Sequence, residues 1–438
     1  MATEAVHRLQ REERLVRAIG LPTLAASIIN VTIGAGIFVL PAVAANGLGA
    51  AAPMAYIVCG VLMGLIVACF AAAGSRVSLT GGLYAYIEVA FGRFVGFLGG
   101  ILYWLMAMFA VASVASAFAG SFGTLAPAFA TQPGRALVIA AAFAALAVIN
   151  IRGVRSGSRV VQVVTIAKLL PLVIFVAAGI WFIDPSALRW TETPTVGAIG
   201  RTSIILIFAF AGVEIALVPT GEVRDPTRTV PRAVFTALAI TTTFYLFIQM
   251  VAQGLLGPSL TTYASAPLAE AASRVLGGAG RTLVLLGATV SMFGYMSGDM
   301  LGSPRAIYAF ARDGVLPEVF SRVHDRYRTP AIAIAFHATV VALLAISSSF
   351  TQLAIVANVA ALTLYGLCVA AAFELQRRDV RAGGAPLLLP GGAAIPVLAI
   401  AVIIWMLSNA TRREFAVEGL VLAVGALFYS IRKGGGQT

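Results

Sequence analysis

Thr32-Ile33-Gly34-Ala35-Gly36-Ile37-Phe38 interrupts the first long apolar run of the chain, where a membrane helix would ordinarily carry leucines. Two glycines one residue apart weaken a helix by roughly 1 kcal/mol each and remove the β-carbons that would hold a ligand off the backbone. In lipid, unwound backbone has to be buried in protein or line a cavity. The stretch therefore reads as a break in a spanning helix. Freed N–H groups at the start of its second half suit an anion such as a substrate carboxylate. Taken alone, it reads equally well as a small-residue packing patch of the Gly-x-x-x-Gly kind.

The surrounding sequence is that of a membrane protein. Of its 438 residues 60% are hydrophobic and 11% charged, with a mean hydropathy of +0.94, which excludes a soluble globular chain. A span needs about 20 apolar residues. Such runs predict twelve spans, at 21–45, 50–73, 94–125, 135–150, 159–183, 199–221, 231–256, 281–312, 331–348, 353–373, 395–409 and 415–430, and no soluble domain. Residues 1–17 read as an amphipathic, charged leader, and the run behind them is too long for a signal-peptide core.

Charge sets the orientation. If the N-terminus is inside, 22 of the 30 basic residues, among them Arg76, Arg93, Arg152, Arg224, Arg322 and Arg377, face the cytoplasm. Arg135, Arg189, Arg201, Arg274, Arg281, Arg412 and Arg413 face outward. This asymmetry follows the positive-inside rule and puts both termini in the cytoplasm. The net charge of +12 thus reports topology, and arginines spread over every inner loop do not suggest nucleic-acid binding. Cys59, Cys69 and Cys368 lie within spans and imply neither a disulfide framework nor a metal set. His7, His324 and His337 are scattered, and no nucleophile or phosphate loop points to an enzyme or a cofactor.

Lys168, Glu214 and Asp299 are read as the Asp, Glu, Lys or Arg residues inside the membrane, where an ionisable group is by default a functional-site hypothesis. Lys168 sits about ten residues, or ~15 Å, from the inner end of its span, too deep to snorkel comfortably. A buried ammonium either pairs or exchanges a proton. The sixth span, in Ile207-Phe208-Ala209-Phe210-Ala211-Gly212-Val213-Glu214, repeats the glycine break of the first and adds a carboxylate. Corresponding breaks suggest two five-helix repeats of opposite orientation with the site between them. Static ion pairing is the alternative for Glu214 and Asp299. Glu88, after the aromatic run Tyr84-Ala85-Tyr86, is either a gate carboxylate or a solvated interfacial charge.

Gly34-Ala35-Gly36-Ile37-Phe38 with Pro41, Phe208 to Glu214, Gly221-Glu222-Val223-Arg224-Asp225-Pro226 to Pro231, and Tyr308 to Gly314 followed by Leu316-Pro317 occur in order on the matching spans. By these motifs the chain resembles the amino acid, polyamine and organocation (APC) transporter superfamily over essentially its full length. The resemblance implies an all-α integral membrane fold of twelve helices, a 5+5 inverted repeat with discontinuous helices 1 and 6, plus two C-terminal helices. Its segments are 1–20 (cytoplasmic), 21–183 (first repeat), 198–374 (second repeat), 391–432 (two further helices) and 433–438 (cytoplasmic tail).

The resemblance also implies a secondary active transporter of L-amino acids in a bacterial inner membrane, working by alternating access, proton-coupled and sodium-independent. The substrate carboxylate would meet the amides of Ala35, Gly36 and Ile37, and its ammonium the carbonyls of Thr32, Phe208 and Ala211. Phe208 falls where many members place an aromatic gate, Glu214 where a carboxylate links the broken helix to its neighbours, and Tyr103 and Met106 on positions lining the side-chain pocket. Lys168 resembles the lysine that sodium-independent members carry in place of a sodium ion, with Ser291 as its partner on the eighth span. Exchangers of the family carry this lysine too. Val111 stands where arginine-exchanging relatives have an asparagine, which argues against specific arginine recognition. Asp299 stands where they have a tryptophan, and it either pairs with a cationic substrate side chain or is itself the protonatable group. The alternatives are an amino acid/amine exchanger and a non-transporting receptor or channel on the same fold.

Overall fold

The computed structural model describes residues 20–77, 83–152, 158–190, 192–213, 223–312, 316–381, 386–389 and 391–434. Among them the chain is helical and forms these α-helices: α1 (Leu21–Thr32), α2 (Leu40–Leu48), α3 (Ala52–Arg76), α4 (Leu83–Phe91), α5 (Arg93–Leu125), α6 (Gln132–Arg152), α7 (Ser158–Gly179), α8 (Val196–Leu206), α9 (Pro226–Leu256), α10 (Pro267–Arg312), α11 (Ala331–Ser347), α12 (Phe350–Arg377), α13 (Ala394–Leu407) and α14 (Arg412–Gly434).

Local chemistry explains many of the boundaries. Prolines stand in the first turns of α1, α2, α3 and α9, where the missing N–H costs nothing. Thr195 caps α8 by accepting the Ala198 N–H at 3.1 Å, and Ser349 and Gln352 form a reciprocal capping box on α12. Two features were not expected. The connection after the second span forms α4, and α10 starts well before its span, turning at Gly277 (φ 61°, ψ −155°).

Six helical stretches among the described residues are long and apolar enough to cross a membrane, and the pair α13–α14, bent by 114°, would make a seventh. One of the six, Leu40–Arg76, leaves helical geometry at Gly49 (φ 53°, ψ −130°), where α2 ends and α3 follows. The outer surface carries large apolar side chains, among them Trp181 at 84% exposure and Leu420 at 66%. In water such a surface would be an aggregation liability. In lipid it is the expected exterior, and the chain fits an integral membrane protein.

Inside, α5 and α12 lie along each other, α10 packs on both α5 and α7, α9 packs on α3 and α1, and α11 on α6. Small residues allow the close approaches: a β-carbon at Gly60 would stand 2.8 Å from Thr242, and one at Gly47 would stand 2.3 Å from Thr202. These contacts bring α3 to α9 and α2 to α8, and they set the walls around two chain breaks.

Candidate functional site

The first apolar run divides at its glycines. Ile33 leaves helical geometry (φ −73°, ψ 77°), a tight turn follows over Gly36–Phe38, and α2 restarts at Leu40. Phe38 N–H donates to the Ala35 carbonyl at 3.3 Å and Val39 N–H to that of Gly36 at 3.0 Å. Among the described residues the amides of Ala35, Gly36 and Ile37 find no main-chain acceptor.

The sixth run breaks likewise. The helix tightens over Ile207–Ala209, the amides of Phe210 and Ala211 both return to the Ile207 carbonyl, and Gly212 takes φ 109°, a conformation that side chains rarely adopt. The two turns touch. A β-carbon at Gly36 would stand 2.9 Å from Phe208, and one at Gly212 would stand 2.9 Å from Val31. Each glycine thus admits the other break. Phe208 covers Gly36 and meets Phe350 of α12 edge-on, with ring centroids 5.5 Å apart.

Breaking a helix strands carbonyls, and polar side chains from the neighbouring helices receive them. The Tyr245 hydroxyl of α9 lies 2.8 Å from the carbonyls of both Thr32 and Ala209, sharing its proton between the two breaks. Asn358 of α12 donates to Ile204 and Ile205 at the end of α8. One turn apart on α9, Gln249 and Gln253 reach Pro41 and Gly49 along α2. The Lys168 ammonium donates to the Asn30 carbonyl in the last turn of α1. A helix C-terminus favours a cation there.

The remaining expected site residues divide. Thr32 is buried with its hydroxyl unpartnered, as is the hydroxyl of Ser291, so the described contact of Lys168 is to α1. Met106 and Val111 are buried, whereas Tyr103 is 40% exposed. Glu88 is half-buried, and Ala211 lies within the second break. Glu214 is outside the described residues.

Asp299 is engaged from both sides: Ser303 donates to Oδ1 at 2.5 Å and His337 Nε2 lies 2.8 Å from Oδ2. His337 is fully buried on α11, so it is not one of three scattered histidines but part of this pair. Its place in the middle of an apolar run was the missed signal, since histidine too is ionisable in a membrane. The spans also contain Arg201, paired twice to Glu414 at 2.8 and 2.9 Å, and buried Glu418, so the membrane inventory of Lys168, Glu214 and Asp299 was too short. Tyr245, Gln249, Gln253 and Asn358 were likewise visible as polar residues in apolar spans.

Among the described residues no group of His, Cys, Asp and Glu is arranged to hold a metal ion. Free amides from one break, an aromatic cover from the other and a cation on the adjoining helix end suit a small zwitterion. The family model described as amino acid permease matches residues 19–423.

The chain belongs to the amino acid permease family.

The serine/threonine exchanger SteT of Bacillus subtilis is 30% identical over 96% of this chain and 98% of its own. The methylthioribose transporter of the same organism is 25% identical over 97% and 95%. An uncharacterized transporter of Mycobacterium tuberculosis is 33% identical over 86% and 90%. This permease is accordingly a membrane transporter and not an enzyme.

Proposed function

We propose that the chain carries small neutral L-amino acids across the bacterial inner membrane by alternating access, without sodium and with protons as the coupling ion. The observation that carries this reading is the meeting of the two breaks, with the unpartnered amides of Ala35, Gly36 and Ile37 beneath Phe208. Those amides receive the carboxylate, and the carbonyls of Thr32, Phe208 and Ala211 receive the ammonium.

A twelve-span arrangement in two inverted repeats is supported by the pairing of helices. If α3, α5, α6 and α7 correspond to α9, α10, α11 and α12, the contact of α5 with α12 has its counterpart in α10 with α7. That of α3 with α12 has its counterpart in α9 with α7. Lys168 supports sodium independence, because its ammonium already supplies a cation at the end of α1. Losing its proton would release that end, which ties a proton to the opening of one side. Glu214, which is outside the described residues, is assigned to the same relay.

Engagement of Asp299 by His337 and Ser303 favours a neutral substrate over a cationic one. The name of SteT points the same way, and it favours exchange as the second reading. Reconstitution separates the two. Proteoliposomes with an inward proton gradient should accumulate labelled L-serine or L-threonine with no need for sodium. Uptake that ignores the gradient and requires internal amino acid identifies an exchanger. Absence of any saturable uptake or counterflow would leave a receptor or channel.

A further inference from the structure

Beyond Phe350, on the side predicted to face outward, lies a cavity of about 440 Å³ between α2, α5, α6 and the start of α12. Its size falls within the roughly 300–1,000 Å³ of small-ligand sites. Phe350 forms part of its wall and packs on Phe208, which covers Gly36. Phe208 and Phe350 thus form an aromatic layer between the cavity and Gly36.

Arg135 of α6 lines this space. Its Nη2 donates to the Ser116 carbonyl at 3.2 Å, and among the described residues it has no other acceptor and no acidic partner. Among the described residues no carboxylate lines the cavity; the polar lining consists of Arg135, serines, Thr351 and two glutamines. A half-buried guanidinium with free donors is a planar fork matched to a carboxylate. The first turn of α12 adds a second attraction. The capping box engages the amides of Ser349 and Gln352, while those of Phe350 and Thr351 have no acceptor among the described residues. Both residues stand in the cavity wall, at the positive end of the helix dipole.

We infer that this vestibule is a second binding site, in which Arg135 and the first turn of α12 hold the carboxylate of an amino acid outside the aromatic layer. The identity of the ligand as an amino acid rests on the proposed function; its carboxylate does not. Capture here would raise the local concentration of substrate over Phe208 and orient its charged end.

Acetate carries the carboxylate and nothing else, so ¹³C-labelled acetate is the probe. Its line broadening by the purified full-length protein should saturate, and Arg135→Gln should weaken the binding by about tenfold or more, the loss of a charge-assisted pair. Arg135→Lys, which keeps the charge without the fork, should fall between, and it provides the comparison should the glutamine variant fail to fold. In Gly36→Leu the added side chain fills the space under Phe208, so acetate binding that remains belongs to the vestibule. Undiminished binding in both Arg135 variants, or its loss in Gly36→Leu alone, overturns the site. Displacement of acetate by chloride at equal concentration overturns its assignment to carboxylates. Labelled L-serine judges the proposed function separately: acetate held at Arg135 by a protein that binds no amino acid would keep the vestibule and reject the amino acid reading.

Discussion

Lys168 is where charge, helix geometry and coupling meet. Its ammonium rests on the carbonyl of Asn30 and is buried, so it can leave only by moving with α1 or by giving up its proton. Lys168→Ala is expected to bind L-serine within several-fold of the parent protein and to lose accumulation driven by a pH gradient; uphill uptake in that variant would contradict the coupling role. Asp299 poses a different question, because His337 and Ser303 occupy it. Removing one partner of a buried pair strands the other, at a cost of about 3 kcal/mol. His337→Ala should lower the melting temperature accordingly, and His337→Gln, which restores a hydrogen bond without a titrating group, should recover part of the loss. Full recovery of both stability and gradient-driven uptake in the glutamine variant would assign the pair to structure; stability without uptake would assign it to proton transfer.

Among the elements, α9 has the strongest hold on the broken helices, through one face carrying Tyr245, Gln249 and Gln253. Tyr245→Phe keeps the ring and its edge-on contacts with Tyr56 and Phe210 but leaves two buried carbonyls without their donor, a loss of about 1–3 kcal/mol. Thermal unfolding in detergent should register it, and uptake should fall as both breaks loosen; a variant with unchanged stability would mean that water replaces the hydroxyl.

At the C-terminal end of α3, Arg76 is fully buried, donates to the Val380 carbonyl at 3.3 Å and lies 3.6 Å from the Asp379 carboxylate. Arg381, and then Arg76, hold that carboxylate below its ordinary range. A depressed carboxylate stabilises the fold above its unfolded pKa of about 3.9 and loses that contribution as pH falls through the folded value. Arg76→Ala should therefore lower the melting temperature at pH 7, with the gap to the parent narrowing as the pH drops below 4. A gap independent of pH would place the whole effect on Val380.

At the scale of the molecule, apolar run length and the glycine stretches made the helices and both breaks legible, because membrane spans are set by composition and a glycine break has a local cause. What joins them was less so. Which carbonyl Lys168 meets, or that His337 closes on Asp299, depends on the rotation of one helix against another, which residue spacing within a single run does not encode. Short α4 and the early start of α10 escaped because their sequences mix aromatic, small and charged residues without a span-length apolar run.

Orientation is the largest feature that rests on charge alone, and the protein is suited to a direct test of it. Cys59, Cys69 and Cys368 are all buried, so a membrane-impermeant maleimide should find little to label in the parent chain. Thr193, between α7 and α8, and Val323, between α10 and α11, are both exposed. The excess of arginines on the loops that include Arg322, Arg326 and Arg328 places the second of these inside. Thr193→Cys should then be labelled in intact cells, and Val323→Cys only after permeabilisation. The reverse pattern would invert the chain in the membrane and turn the Arg135 vestibule toward the cytoplasm, where it would hold substrate at exit rather than entry.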